Sequence, residues 1–441
     1  MKRFISPINL IYTGFVCLVA NAYILVDLSR WFLLLLIPIF LFLNLFAGIF
    51  TADTKRWRLR FCHHGGVLLG AFAISLLISF LYHAILAIVI FKSNLVLFIR
   101  SLEWCIAVSE YIFWNGMICV YATSKHLGVK WRIVGAICGM VPIINLITLG
   151  VIISIVMDEM EHELELEHIE RNGEKERCKT KYPILFVHGV FLRDSKHFNY
   201  WGRIPRSLKA RGATVYYGEH QSALSVADSG HELAARIRYI LDRYGCEKVN
   251  IIAHSKGGLD CRYAISKYGI APYVASLTTI NTPHRGCLFA DRLLSRASDR
   301  FKRYVSTAYN VTLRDLGDEA PDFMAAVTDL TASECAKRNE TLTFPEGIYT
   351  HSVGSVLRKW RTGQFPFNVF YHYVKRFDGS NDGLVGEGSF AWGEKYTLIT
   401  VEGRYGVSHA DVTDFTRANV KNFDVLEFYA DMVEDLKNRG L

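Results

Sequence analysis

The sequence predicts an α-helical transmembrane bundle followed by an α/β domain with a mostly parallel sheet, helices on both faces and a helical insertion. Three observations carry that reading. Charge is unevenly divided: of 441 residues, the first 157 hold 12 Lys/Arg and 4 Asp/Glu, whereas the rest hold 38 of each. Long uncharged apolar windows fill the first part, several of them at the ~20 residues a bilayer core demands. The second part alternates β-rich runs with stretches of helical spacing, as strands covered by helices do. The formal net charge of +8 therefore belongs to the first third alone. With no basic face on the remainder, a general nucleic-acid binder is excluded.

In chain order, residues 1–157 form the membrane domain. Phe4–Val26, Trp31–Ala52, Phe61–Phe91 and Ile133–Met157 carry no formal charge, and Trp104–Ser124 carries only Glu110. These windows predict five transmembrane helices. Cations near short loops are retained in the cytoplasm. An inside N-terminus puts nine inside (Lys2, Arg3, Lys55, Arg56, Arg58, Arg60, Lys125, Lys130 and Arg132) and three outside (Arg30, Lys92 and Arg100). An odd number of spans then places everything after Met157 on the extracytoplasmic side of a multi-pass cell-membrane protein. Glu103 and Glu110 share a helical face with Trp114. An intramembrane carboxylate raises the idea of a proton relay or ligand contact, but snorkelling by Glu103 and satisfaction of Glu110 within the bundle are the favoured account. His63 and His64 sit beside the Arg-rich loop, at an expected polar boundary.

Residues 158–181 are expected to be an acidic helical stalk. Asp158–Arg177 contains nine acids and stops helically near Asn172-Gly173. A solvated spacer explains this composition better than a divalent-ion site made from its Glu/His mixture.

Residues 182–441 form the α/β domain, with strands at YPILFVH (from Tyr182), TVYY (Thr214), VNIIAHS (Val249), YVASLTTIN (Tyr273) and YTLITVE (Tyr396), and helices from His231 and Lys256. The chemistry concentrates in Ala253-His254-Ser255-Lys256-Gly257-Gly258. A serine on a sharp strand-to-helix turn needs small residues two before and two after it, and Ala253 and Gly257 qualify. In this architecture the acid follows the serine and a histidine comes last. His409 is the one histidine beyond Asp382, and Asp378 and Asp382 are both candidates for the acid. His351 and His372 precede the acids and are read as core or surface residues.

The ordered segments PILFVHGVFLRD, NYWGRIPRSL, AHSKGG, NTPHRG, NDGLV and SHAD, spanning about Pro183 to Val425, resemble the bacterial true lipases (family I triacylglycerol lipases) of the α/β-hydrolase superfamily. The resemblance covers none of the membrane region. It implies an α/β-hydrolase domain in which Asp382, in NDGLV, is the acid, with oxyanion-hole amides at Val190 and Lys256 and structural roles for His188 and His254. It also implies a mobile lid over about Gly286–Thr343, where Phe289, Leu293, Leu294, Phe301 and Tyr304 form either an apolar lid face or an ordinary packed surface. Ala253 departs from the usual glycine, and Cys287 stands where a serine often follows PHxG. Many such lipases hold a structural calcium; Asp411 matches one ligand position, but Thr362 stands near the place of the other, so calcium stays open.

The expected function is a membrane-anchored serine hydrolase cleaving carboxylic esters, lipids among them, through Ser255, His409 and Asp382. No cofactor is required for that chemistry, and the partners are an ester substrate and the bilayer. Two alternatives are a membrane sensor or transport component with an inactive hydrolase-like binding domain, and an acyltransferase or peptidase on the same three residues. The ten cysteines, irregularly spaced, define neither a disulfide framework nor a zinc site.

Overall fold

Ser6 opens the first helix by accepting the Asn9 amide at 3.1 Å, with Pro7 in the first turn, where its missing N–H costs nothing. The computed structural model describes residues 6–139, 144–172, 174–190, 200–315, 317–363, 366–403 and 405–441. They divide into two units, Met1–Arg171 and Asn172–Leu441.

The first unit is helical: α1 (Pro7–Ala20), α2 (Tyr23–Leu28), α3 (Trp31–Thr51), α4 (Trp57–Ile90), α5 (Leu95–Thr123), α6 (Gly128–Cys138) and α7 (Ile144–Asn172). Among the described residues, two helices are long and apolar enough to cross a membrane, α3 through Leu34–Thr51 and α4, each at mean hydropathy 2.4. The five expected spans differ from this in identifiable ways. The first window is two short helices, because Asn21 ends α1 and spends its side-chain N–H on Cys17 O at 2.8 Å and Ser79 Oγ at 2.9 Å. The fifth window is split between α6, of 11 residues, and α7, which continues into the acidic segment. On α5, Glu103 pairs with Arg100 at 3.2 Å and Glu110 accepts the Trp114 indole N–H at 2.8 Å, so both carboxylates are satisfied by their own helix. His63 and His64 are buried within the helical unit. They bond to the backbone of α3 at Gly48 and Asn44, and a Cβ on Gly48 would lie 2.4 Å from His64 Cα, so only glycine permits this approach.

The acidic stalk also differs from expectation. Glu159, Glu163 and Glu167 recur at every fourth residue, which puts them on one stripe of α7. That stripe is buried, not solvated. Arg58 reaches Glu159 at 2.6 Å and Glu163 at 3.4 Å, while Arg56 reaches Glu163 at 3.2 Å and Glu167 at 3.4 Å. Glu159 further accepts Ser124 Oγ–H and the amides of Lys125 and His126. Segments assigned to opposite faces by the five-span count thus meet at one end of this unit.

The second unit is built on β1 (Ile184–Val187), β2 (Val215–Tyr217), β3 (Val249–His254), β4 (Val274–Ile280), β5 (Tyr349–Ser355) and β6 (Lys395–Ile399). They form one sheet in the order β2-β1-β3-β4-β5-β6, with every neighbouring pair parallel. Each crossover carries helix: α8 (Ile204–Ala210), α9 (Val226–Tyr244), α10 (Lys256–Lys267), then α11 (Leu288–Arg296), α12 (Asp299–Asp315), α13 (Phe323–Thr328) and α14 (Ala332–Thr341) between β4 and β5. α15 (Phe367–Asp378) precedes β6, and α16 (Val425–Asn438) closes the chain.

Strand parity sorts the core into two layers. Ile184, Phe186, Ile252 and Ile280 pack with Leu208, Tyr429 and Val433 on one face, and Leu185, Val187, Ile251 and Ala253 pack with Leu233, Ile237 and Ala264 on the other. The strand order reverses between β1 and β3, and the crevice at such a switch point is where an open α/β sheet receives ligands. β5 was not anticipated, because YTHSVGS is polar. Its buried side chains are satisfied laterally: the His351 ring bonds Thr397 Oγ1 at 2.9 Å and Ser352 accepts the Trp392 amide at 3.0 Å.

Past β6, the chain is tied back by a buried ion pair. Arg203 donates Nη2 to Asp414 Oδ1 at 2.7 Å, and its amide and Nε to Oδ2 at 2.7 and 2.9 Å. Asp414→Ala should destabilise this unit by about 3–5 kcal/mol, since it strands a buried guanidinium. Equilibrium denaturation of the full chain reads this out, and a wild-type midpoint would contradict it.

Candidate active site

Ser255 occupies the turn between β3 and α10 at φ 54°, ψ −128°, a conformation that costs an L-residue on the order of 1–3 kcal/mol. Neighbouring bonds hold it there. Its amide donates to Ile280 O at 2.9 Å, and its carbonyl accepts Thr282 Oγ1 at 2.8 Å and the Gly258 amide at 3.1 Å. The glycines are dictated by contact. A Cβ on Gly257 would lie 2.4 Å from His188 O, and one on Gly258 2.2 Å from Thr282 Oγ1. Ala253 is tolerated because its methyl enters the apolar layer beneath the strand. A Cβ on Gly189 would lie 2.9 Å from Ser255 Cβ, so the end of β1 presses against the serine.

Val190 and Lys256 therefore flank Ser255 from two elements, and among the described residues nothing accepts a hydrogen bond from either amide. The Lys256 ammonium points away into the core, 2.7 Å from Asp260 Oδ1 and 3.0 Å from Ser229 Oγ. Burial drives the Asp260 carboxyl up to about 7 against the pull of Lys256.

Asp382 is fully buried and each oxygen is satisfied. Oδ1 accepts the amides of Leu384 and Val385 at 2.8 and 2.7 Å, and Oδ2 accepts Asn281 Nδ2 at 2.7 Å and the His409 ring Nδ1–H at 2.6 Å. The His409 amide also donates to Asp382 O at 3.0 Å. This double tie fixes the imidazole and leaves Nε2 as the ring nitrogen free for a substrate-side proton. Among the described residues no hydrogen bond joins Ser255 Oγ to His409; such bonds often form only once substrate binds. The His409 ring lies 4.5 Å, centroid to centroid, from His254, the residue before the serine.

Asp378 is placed elsewhere. It accepts the amides of Leu288 and Phe289 at 2.8 Å each, anchoring the start of α11, and burial raises its carboxyl above the usual range. His188 bonds its own neighbourhood, Gly189 O and His220 O, and stacks on His220 at 4.0 Å. The His254 ring Nδ1 and Tyr200 Oη share a hydrogen bond at 2.5 Å, and burial, then His409, holds the His254 pKa well below the ordinary value, so it stays neutral. His351 is buried between strands and His372 is exposed. Of the five lid side chains, Phe289 packs against Val374 and Phe390, whereas Leu293, Phe301 and Tyr304 are exposed and Leu294 half-buried.

Asp411 Oδ2 accepts the Ser408 amide and hydroxyl at 2.8 and 2.6 Å, the Thr362 hydroxyl donates to Lys359 O at 2.8 Å, and among the described residues no three His, Cys, Asp or Glu side chains converge as metal ligands. Asn281, at φ 46°, is the residue that sequence reasoning missed: it bridges Asp382 to Ser355 Oγ at 2.7 Å. Its signal was its place directly after β4, level with the serine turn.

A parallel sheet with this strand order and a strained serine after β3 defines an α/β-hydrolase fold, and residues 182–361 match the family model described as the alpha/beta hydrolase fold. Two curated relatives are triacylglycerol lipases. That of Vibrio cholerae is 34% identical over 186 residues, covering 40% of this chain and 58% of the relative, and that of Pseudomonas fragi is 26% identical over 299 residues, covering 59% and 98%. A third, from Pseudarthrobacter phenanthrenivorans, is 42% identical over 118 residues, which is 25% of this chain and 36% of the relative. The chain thus spans only about a third to three fifths of several curated relatives it matches. Among solved structures, the mature Bacillus licheniformis lipase BlEst2 is similar at 22% identity and a TM-score of 0.44, covering 58% of this chain and 92% of that one.

Because Asp378 serves as the acceptor for the first turn of α11, Asp378→Ala should cost roughly 0.5–2 kcal/mol, as lost helix caps do. The loss should be local: faster hydrogen exchange at Leu288 and Phe289 and faster proteolysis within Leu288–Arg296, with the His409–Asp382 pair unaltered.

Proposed function

We propose that this chain is a membrane-anchored serine hydrolase that cleaves carboxylic esters, with lipids as its substrate class. The observation that carries the reading is the buried Asp382–His409 pair, bonded twice, beside a strained serine at the strand-order switch point. As Ser255 Oγ attacks the ester carbonyl, its proton passes to His409 Nε2 and the imidazolium is stabilised by Asp382 through Nδ1–H. The new oxyanion faces the amides of Val190 and Lys256, each such donor being worth about 2.7–4 kcal/mol in related sites. Collapse expels the alkoxide, which takes the proton from His409. Water then attacks the acyl-enzyme with His409 as base, releasing the carboxylic acid and restoring Ser255.

The lipid substrate is supported by the names of the relatives and by the exposed aromatic and aliphatic side chains of α11 and α12. Membrane anchoring is supported by α3 and α4 and by the apolar surface of the helical unit, where Leu34, Phe50, Ile74, Phe80 and Ile88 are exposed.

A fluorophosphonate probe should label Ser255. Ser255→Ala and His409→Ala should each lower ester turnover by several orders of magnitude, and Asp382→Asn by about four, with KM little changed. Asn281→Ala, which removes one of the bonds orienting Asp382, should lower kcat by a smaller factor. Normal turnover in Ser255→Ala would overturn the mechanism.

A further inference from the structure

The contacts within the helical unit determine which of its ends the chain leaves from. Thr51 Oγ1 bonds Asn9 Oδ1 at 3.1 Å, so the start of α1 and the end of α3 are neighbours. Thr54 Oγ1 donates to Glu167 at 2.6 Å, Arg56 and Arg58 hold Glu159, Glu163 and Glu167, and Arg58 Nη1 also donates to Thr123 O at 2.7 Å, at the end of α5. The Ser124–His126 turn closes on Glu159. One end therefore gathers the start of α1, the α3–α4 turn, the α5–α6 turn and the acidic half of α7. The α2–α3 and α4–α5 turns belong to the other end. Between Asn9 and Glu159 the chain makes an even number of passages, with α6 and α7 leaving this end and coming back to it.

The gathering is held by charges that have little freedom to separate. Glu159, Glu163 and Glu167 are buried, and a buried carboxylate stripped of its partner is strongly unfavourable. Lys55, Arg56, Arg58, Arg60, Lys125, Lys130 and Arg132 all lie in or beside the turns at this end, against Arg30, Lys92 and Arg100 at the other. Orientation follows Lys and Arg, and acids contribute little to it, so the gathered end is the cytoplasmic one. From Arg171 to β1 there are only residues 172–183, NGEKERCKTKYP, which are too few and too charged to recross a bilayer that needs ~20 apolar residues.

We propose that the α/β-hydrolase domain faces the cytoplasm and takes esters presented at the cytoplasmic leaflet, the reverse of the side that a count of five spans assigns. This rests on the helical unit being a membrane domain, and the test separates the two claims. Membranes from cells making the full chain with a C-terminal epitope are washed with alkaline carbonate, and protease is applied to intact spheroplasts and to inverted vesicles. The expected result is a chain that stays in the carbonate pellet, with an epitope protected in spheroplasts and removed in inverted vesicles. Removal of the epitope in intact spheroplasts from a carbonate-resistant chain would overturn the cytoplasmic orientation while leaving the membrane reading standing. Release of the chain by carbonate would overturn the membrane reading itself, and the orientation with it.

Discussion

The close approach of the end of β1 to the turn after β3 is the constraint on which the candidate site depends. Gly257 has no room for a side chain because His188 O is there, and Gly189 has none because Ser255 is there. Each backbone crowds the other, and the strain at Ser255 is the consequence. What the crowding achieves is alignment: the Val190 and Lys256 amides come from different elements, yet they flank the same serine. Neither element alone can build that pair of donors, and the parallel β1–β3 pairing, with Val187 opposite Ala253, sets their register.

A second requirement follows from burial. Several ionisable groups around the site are held by buried bonds. Asp382 has four side-chain acceptor contacts. Lys256, next to Ser255, turns its ammonium down to Asp260 and Ser229. In the proposed mechanism only the Lys256 backbone is used, and the Lys256–Asp260 pair keeps its charge away from Ser255. His254, held neutral by burial, performs a similar service beside His409. Placing Asp378 at the head of α11 removes the second carboxylate from the imidazole altogether.

The sequence made the sheet's central strands and the residues of the candidate site legible because both depend on local pattern and order. β1, β3 and β4 are continuous apolar runs, and serine, acid and histidine follow one another in a set sequence. β5 escaped because its polar side chains are satisfied by β6 and the turn before it, a pairing that no local window contains. Asn281 escaped for the same reason, its partners lying 74 and 101 residues away. In the helical unit hydropathy located apolar stretches but not where they break. Asn21, the residue that ends α1, bonds Ser79, a contact that hydropathy cannot register.

The acidic segment shows most plainly how composition misleads when partners are absent from view. Nine acids in a short run look like a solvated spacer, because unpaired carboxylates cannot be buried. Their spacing, however, lines up Glu159, Glu163 and Glu167, and the partners are two arginines more than a hundred residues earlier. By sequence alone those arginines register only as signals of orientation. In the proposed orientation the same side chains do two things at once: they hold one end of the helical unit in the cytoplasm by the rule of retained cations, and they bind the acids that fix where the chain leaves it. A hydropathy count decides parity by adding up windows, so one window that turns back reverses the answer, whereas an ion pair between two segments requires that they share an end whatever the count.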